Sequence, residues 1–310
     1  MKYKNVVTTL FENHYEYGVA ALINSLYKAD FEGLISIGYK GNLPFWINQL
    51  SSFKGNDNIY QLSEKIDLRF DELNVDMHLG YYKPYYLKRL AQEFPEAQGW
   101  FYFDPDIVVL AKWSFYEKWI KSGVALCQDS NYTLLYWNHP WRNQWRTDFS
   151  EFDKGIDKSL NWYINSGFIG VNFENFELIN RWIEVNEKYK VLGYPIHFFD
   201  KGQGIYAYKG DQDVLNAAMT LSQDLRYSII GKEAMAFDYP AGIMVHAVTG
   251  VKPWKINYIK NAFSGNKPTV IDESYLHFCF GPIEVYTRAE LSKKTTLLKI
   301  SKVINRIWKK

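Results

Sequence analysis

The chain has 310 residues, 47% hydrophobic, 18% aromatic and 23% charged, which excludes disorder, collagen and coiled coil as global descriptions and allows one large domain or two modest ones. Thirty-six Lys and Arg against 34 Asp and Glu leave a net charge of +2, too even for a dedicated nucleic-acid binder. The balance conceals an asymmetry, because residues 289–310 carry +6 and residues 1–288 carry −4. Two cysteines, Cys127 and Cys279, are too few for a disulfide framework or a four-cysteine zinc site, and both sit in apolar runs that suit buried free thiols. No apolar run near the N-terminus suits a signal peptide, and none reaches the roughly 18 residues of a spanning helix. The expectation is a soluble, cytoplasmic protein.

In chain order, Asn5–Leu10 reads as a β-rich run, and Tyr15–Tyr27 follows with helical spacing of Val19, Leu22, Ile23 and Leu26. Phe31–Gly38 reads as a second strand, and Pro84–Phe94 as a helix with Pro84 near its start. Trp100–Phe103 is an apolar strand that ends in Asp-Pro-Asp, and Ile107–Leu110 resumes as a strand. Phe115–Lys121 reads as helix, and Val124–Cys127 and Gly242–Val245 as further strands. The alternation predicts an α/β fold with a mainly parallel sheet flanked by helices, which binds ligands at the carboxyl ends of its strands. Segments 131–163 and 190–210 are rich in Trp, Tyr and Gly and poorly periodic, as binding loops or lids are. The organisation predicted is one domain over 1–288 and a basic amphipathic tail over 289–310.

The sharpest chemical feature is Phe101-Tyr102-Phe103-Asp104-Pro105-Asp106-Ile107. Two carboxylates flanking one residue at the end of an apolar strand can aim their oxygens at one hard cation, Mg²⁺ or Mn²⁺, with open positions left for phosphate oxygens. The same pair also suits a solvated turn in which Asp104 caps the next segment. Farther on, His246-Ala-Val-Thr-Gly-Val-Lys252-Pro253-Trp254 places an imidazole, a flexible Thr249-Gly250 pair and an ammonium within seven residues, a combination suited to a metal–diphosphate complex. A satisfied core histidine is the plainer reading of His246 alone.

These two segments together resemble glycosyltransferase family 8, which includes glycogenin and bacterial lipooligosaccharide α-glycosyltransferases. Three more segments agree in order: Val7-Thr8-Thr9 through Tyr15 and Gly18, then Tyr163-Ile164-Asn165-Ser166-Gly167-Phe168, then Gly210-Asp211-Gln212-Asp213-Val214-Leu215-Asn216. The resemblance, over roughly residues 5–258, implies a GT-A-type, Rossmann-like fold. It implies that Asp104, Asp106 and His246 hold a divalent cation, Mn²⁺ or Mg²⁺. Thr9, Phe11, Glu12 and Tyr15 would meet the nucleotide, with Lys88 as the basic donor contact and Lys83 a second choice. Asn165, Asp211 and Gln212 would line the sugar, with Asp129 beside them, and Gly250 and Lys252 would meet the diphosphate. Two departures are visible: Phe11-Glu12-Asn13 stands where a Thr-Asn pair is usual, and the glycine after His246 comes one position late.

The activity so implied is retaining transfer of a hexose from a nucleotide sugar, expected to be UDP-linked, to a glycan acceptor of bacterial surface polysaccharide or lipopolysaccharide type, lipid-linked or free. Asp211 or Gln212 would act as nucleophile, or the acceptor would attack the face that the leaving group departs. A nucleotide-sugar hydrolase and a non-catalytic binding protein with a relic site are the alternatives. In the tail, Leu297, Ile300, Ile304, Ile307 and Trp308 recur at helical spacing among seven basic residues. Such a helix suits an anionic membrane surface, here the inner face of the cell membrane, or else packs on the body with a solvated basic face. The other histidines, His78 included, show no ligand-like spacing.

Overall fold

A computed structural model describes residues 3–53, 56–199, 207–222, 225–239 and 241–307. The first strand, β1 (Asn5–Glu12), is buried along almost its whole length, as a central strand covered on both faces must be. Helix α1 (Glu16–Lys28) follows, then β2 (Gly33–Lys40), β3 (Ser51–Phe53), β4 (Asn56–Gln61) and β5 (Ile66–Glu72). Helix α2 (Leu79–Glu93) leads to β6 (Gly99–Phe103) and β7 (Ile107–Val109), and α3 (Trp113–Trp119) to β8 (Val124–Gln128). After α4 (Pro140–Asp148) come β9 (Ile164–Val171), α5 (Glu177–Val191), α6 (Asp211–Thr220), β10 (Tyr227–Ile230) and β11 (Met244–His246). Helices α7 (Tyr258–Phe263), α8 (Val270–Phe278) and α9 (Arg288–Ile307) complete the described chain.

Among the described residues nine strands form one sheet in the order β10-β8-β9-β6-β1-β2-β5-β4-β3. Only β9 and β4 run against the rest. Alternate residues of β1 divide the molecule: Val7 and Phe11 enter a core with α1, α8 and Leu298 of α9, and Val6 and Leu10 enter another with α2, α5 and α6. The mainly parallel α/β sheet flanked by helices is as the sequence predicts.

Three departures matter for the site. Helix α2 begins five residues before Pro84, which lies inside it. Position 80 is a glycine, and the carbonyl that a proline cannot serve lies in this first stretch, where the chain still has freedom to adjust. Strand β7 does not join the large sheet but pairs antiparallel with β11 in a two-stranded sheet. Segment 131–163 is not wholly irregular: it contains α4 and a bridge between Leu134 and Trp162. Residues 200–206 of the other irregular segment lie outside the described residues, as do Trp308, Lys309 and Lys310 of the tail. Both cysteines are buried free thiols.

Candidate active site

Strands β1 and β6 run parallel, so their carboxyl ends share one edge of the sheet. Strand β9 is antiparallel to β6 and brings its amino end, Ile164–Gly167, to the same edge. There a cleft of about 340 Å³ opens, bounded among others by Phe11, Glu12, Tyr15, Asp104, Asp106 and His246.

The chain turns sharply after β6. Ile107 N–H donates to Asp104 C=O at 3.0 Å, closing a β-turn with Pro105 at the position where its fixed φ fits. Asp104 N–H donates to Gly167 C=O at 2.7 Å, which ties the turn to β9. His246 pairs with Ile107 across the β7–β11 sheet, and Ala247 N–H donates to Asp106 C=O at 3.1 Å. A residue far downstream of Asp106 is thereby placed by main-chain register. His246 Nε2 stands 3.2 Å from Asp106 Oδ1 and 3.6 Å from Asp104 Oδ2. One ligand atom from each of the three lies within 4.8 Å of the others, the one such group among the described residues.

Two glycines permit this approach. A Cβ on Gly18 of α1 would stand 2.2 Å from Pro105 O, and one on Gly167 would stand 2.4 Å from Cε1 of His246. His246 is 5% exposed and its Nδ1 has no hydrogen-bond partner, so the ring is held by packing and by what meets Nε2. Two carboxylate oxygens and one imidazole nitrogen, converging with open cleft before them, fit a divalent cation.

The cluster carries its own ammonium groups. Lys252 Nζ lies 2.6 Å from Asp106 Oδ2 and donates to Ala247 C=O at 2.6 Å. Burial works to raise the Asp106 carboxyl pKa, but His246 and Lys252 bring it down to about 2. On the other side Lys83 Nζ lies 3.0 Å from Asp104 Oδ1 and 2.9 Å from Asp211 Oδ2, and also meets Ser166 O at 3.1 Å. Burial would lower this lysine, yet the two carboxylates overcome it and raise the pKa above its ordinary value. For Asp211 burial again works upward, and Lys83 with Ser166 Oγ at 2.8 Å holds the carboxyl below its usual range. Tyr102 O–H donates to Asp104 Oδ1 at 2.8 Å.

Asp211 is the first residue of α6 and Gln212 the second, where a helix amino end favours negative charge. Asn216, one turn later, accepts from Ile164 N–H and donates to Ile164 C=O, both at 2.9 Å. This reciprocal pair locks α6 to β9. Gln212 Oε1 then accepts from Ser166 N–H at 3.2 Å, and Asn165 Nδ2 donates to Asp129 Oδ1 at 3.0 Å. Asp129 sits in an adjoining pocket of about 260 Å³ that shares Phe199, Asp211 and Gln212 with the main cleft and adds Tyr132, Trp141 and Asp213.

The cleft thus brings together Phe11, Glu12, Tyr15, Asp104, Asp106, Asn165, Asp211, Gln212, His246 and Lys252 of the residues expected from sequence, with Lys83, the second choice for the basic contact. Thr9 is fully buried in β1 and does not line it. Gly250 is at an exposed loop tip outside it. Lys88 is also outside it, because at about 100° per residue it is turned about 140° around α2 from Lys83. Two lining residues have no signal of their own in the sequence. His78 caps α2, its Nδ1 accepting from Gly80 N–H at 3.0 Å, and its ring packs 4.1 Å from that of Phe199.

No protein-family model matches the chain, and no curated protein sequence does. Solved structures do. The apo structure of WbbM, a bifunctional glycosyltransferase, superposes with a TM-score of 0.53 at 14% identity over 95% of this chain and 52% of WbbM. An active-site mutant of LgtC gives 0.52 at 13% identity over 93% of this chain and 99% of LgtC. The chain therefore spans about half the length of WbbM and nearly all of LgtC, and its fold is that of the GT-A glycosyltransferases.

Proposed function

We propose that this protein is a metal-dependent, retaining glycosyltransferase of the family 8 kind, moving a hexose from a UDP-sugar to a glycan acceptor. The observation that carries the proposal is the convergence of Asp104, Asp106 and His246, from opposite halves of the chain, beside Lys83, Asp211 and Gln212 in one cleft. Asp104, Asp106 and His246 would hold the cation, for which one imidazole among oxygens favours Mn²⁺ over Mg²⁺. When bound, it neutralises charge that develops on the departing diphosphate. Phe11, Glu12 and Tyr15 form the wall for the nucleotide, and Lys252, within reach of the cleft, supplies a second positive charge for phosphate oxygens.

Asn165, Asp211 and Gln212 face the space between the metal ligands and the adjoining pocket, where the sugar would lie and an acceptor would enter. Asp211 is bound through Oδ2 to a buried ammonium and a hydroxyl. A carboxylate so firmly stabilised is a poor nucleophile, which favours attack by the acceptor on the face the leaving group departs. The second pocket favours transfer over simple hydrolysis, which needs no acceptor site. The same proposal puts the enzyme on the inner face of a membrane. Helix α9 leaves Ile300, Val303 and Ile307 exposed on one face, beside exposed Lys299 and Arg306, an arrangement suited to anionic lipid.

The test is a panel of UDP-, GDP-, CMP- and dTDP-sugars, each with Mn²⁺, Mg²⁺ or EDTA, read by thermal shift and then by sugar-transfer products. A metal-dependent shift with a UDP-sugar is expected, and Asp104→Asn or Asp106→Asn should cut transfer by at least about a hundredfold with the fold intact. Near-normal turnover of either variant would overturn the assignment.

A further inference from the structure

Segment 131–163 holds a feature that sugar transfer to a small acceptor leaves unused. Leu135 N–H donates to Asn161 C=O at 2.9 Å and Tyr163 N–H to Thr133 C=O at 3.4 Å, so the two ends of the segment run together as a short ribbon. Along it Tyr132, Leu134 and Tyr136 are 41%, 48% and 56% exposed, whereas Leu135 between them is 1% exposed. Alternation of this kind puts Leu134 and Tyr136 on the face opposite Leu135, while Tyr132, at the end of the ribbon, turns its ring onto that of Tyr163 with centroids 5.7 Å apart. Trp162, 37% exposed, stands across the bridge from Leu134. Water-facing apolar groups grouped in this way mark a contact surface.

The ribbon is held firmly. Arg142, 1% exposed, donates from Nε to Leu135 C=O at 2.9 Å, from one terminal nitrogen to Trp162 C=O at 2.7 Å, and from the other to Thr220 Oγ1 at 2.5 Å. All three acceptors are neutral, and burial pulls the guanidinium down to about 9. Burying a charge without a carboxylate is costly, and here it fixes both strands of the ribbon to the last residue of α6, the helix that begins with Asp211 and Gln212. The stripe is therefore rigid with respect to the reacting groups.

At its inner end the stripe enters the pocket beside the cleft, which Tyr132 lines together with Asp129, Trp141 and Gln212. The Tyr132 and Trp141 rings meet edge to face with centroids 5.2 Å apart, and Lys209 Nζ lies 6.0 Å from each. Rings bordered by a carboxylate, an ammonium and amides suit a sugar, whose C–H faces cover aromatic surface and whose hydroxyls need polar partners. From Tyr132 to Tyr136 the ribbon extends about 13 Å, roughly the length of two to three linked pyranose rings.

We propose that Leu134, Tyr136 and Trp162, continuous with the Tyr132–Trp141 pocket, form an extended subsite for an oligosaccharide acceptor of three or more sugar units. The inference rests on the glycosyltransferase reading, since it is the shared pocket that makes a glycan the occupant. The experiment uses the full chain, a glycan array and fluorescently labelled maltohexaose, cellohexaose and lacto-N-tetraose, with Leu134→Ser and Tyr136→Ser as exposed, fold-neutral variants. Wild type should retain at least one glycan of three or more units. Each variant should bind it about tenfold more weakly, with disaccharide binding and the Mn²⁺-dependent nucleotide thermal shift unchanged. Unchanged retention in the variants overturns the subsite, as does a wild type that retains no such glycan. So does a stripe whose substitution instead dissolves self-association in sedimentation velocity. Absence of a nucleotide shift in wild type would overturn the transferase reading, which the glycan measurements do not decide.

Discussion

Replacing Gly167 by alanine tests whether backbone packing sets the metal-binding geometry. The added Cβ would stand 2.4 Å from Cε1 and 2.9 Å from Nδ1 of His246, and 2.8 Å from Oδ1 of Asn165. Comfortable carbon contacts begin about 1 Å farther out. Strand β9 cannot give way easily, because β6 and β8 pair with it on its two sides. The imidazole is the freer partner, having no hydrogen bond at Nδ1. A retreat of about 1 Å exceeds several-fold the roughly 0.2 Å that ligand distances tolerate. Mn²⁺ affinity should fall about 10- to 100-fold, the equivalent of about 1.4–2.8 kcal/mol, with little change in far-ultraviolet circular dichroism. Titration followed by the electron paramagnetic resonance of free Mn²⁺ reads this directly. His246→Ala should lose a similar amount, and the double variant no more than either single one. Additive losses, or a Gly167→Ala protein that binds Mn²⁺ as tightly as wild type, would refute the reasoning.

Lys252→Met removes an ammonium that already occupies Asp106 Oδ2 at 2.6 Å. Affinity for Mn²⁺ alone should rise roughly three- to tenfold, about 1 kcal/mol, while affinity for UDP in the presence of Mn²⁺ falls; calorimetric titration of both would show otherwise if Lys252 were a bystander. Asp213, buried and accepting from Tyr163 O–H at 2.5 Å, has its carboxyl raised by burial from 3.8 to about 6. The folded state therefore binds the proton more tightly than the unfolded one, and this group's contribution to stability declines as pH rises from about 4 to 6. Relative to Asp213→Asn, wild type should lose about 3 kcal/mol over that interval in urea unfolding, and a pH-independent difference would contradict the assignment. Ile300→Asp with Val303→Asp should release the protein from phosphatidylglycerol vesicles in flotation without lowering its melting temperature, since both residues are exposed. Deleting residues 290–310 is a poorer test, because Leu298 and Ser301 are buried against the body.

What the sequence makes legible follows the strength of local patterning. Strand β1 and helix α1 announce themselves through long apolar runs, and the Asp104-Pro105-Asp106 turn through two charges at the end of one. Strand β9 is as fully buried as β1, but its Ile-Asn-Ser-Gly-Phe-Ile-Gly-Val carries two glycines, an asparagine and a serine. Those residues disfavour strands in general. Here they serve the contacts of His246, Asp129 and Gln212, which only tertiary structure reveals. Lys88 is suggested by the resemblance alone, with Lys83 as its second choice, and the buried lysine at the cleft is Lys83, one turn inside the start of α2 at Leu79. Thr9 departs for a simpler reason, since alternation along β1 sends its side chain into the core. The pairing of β7 with β11 has no local signature at all, being a register between segments far apart in the chain.

That small two-stranded sheet gives the protein a particular fragility. Its three rungs, Met244 on Val109, Val245 on Val108 and His246 on Ile107, carry no share of the nine-stranded sheet. Slipping them by a single residue would turn the imidazole to the opposite face. One residue lost from this strand would cost the imidazole its position and, in the same slip, pull Met244 and Val245 out of the core in which they are buried.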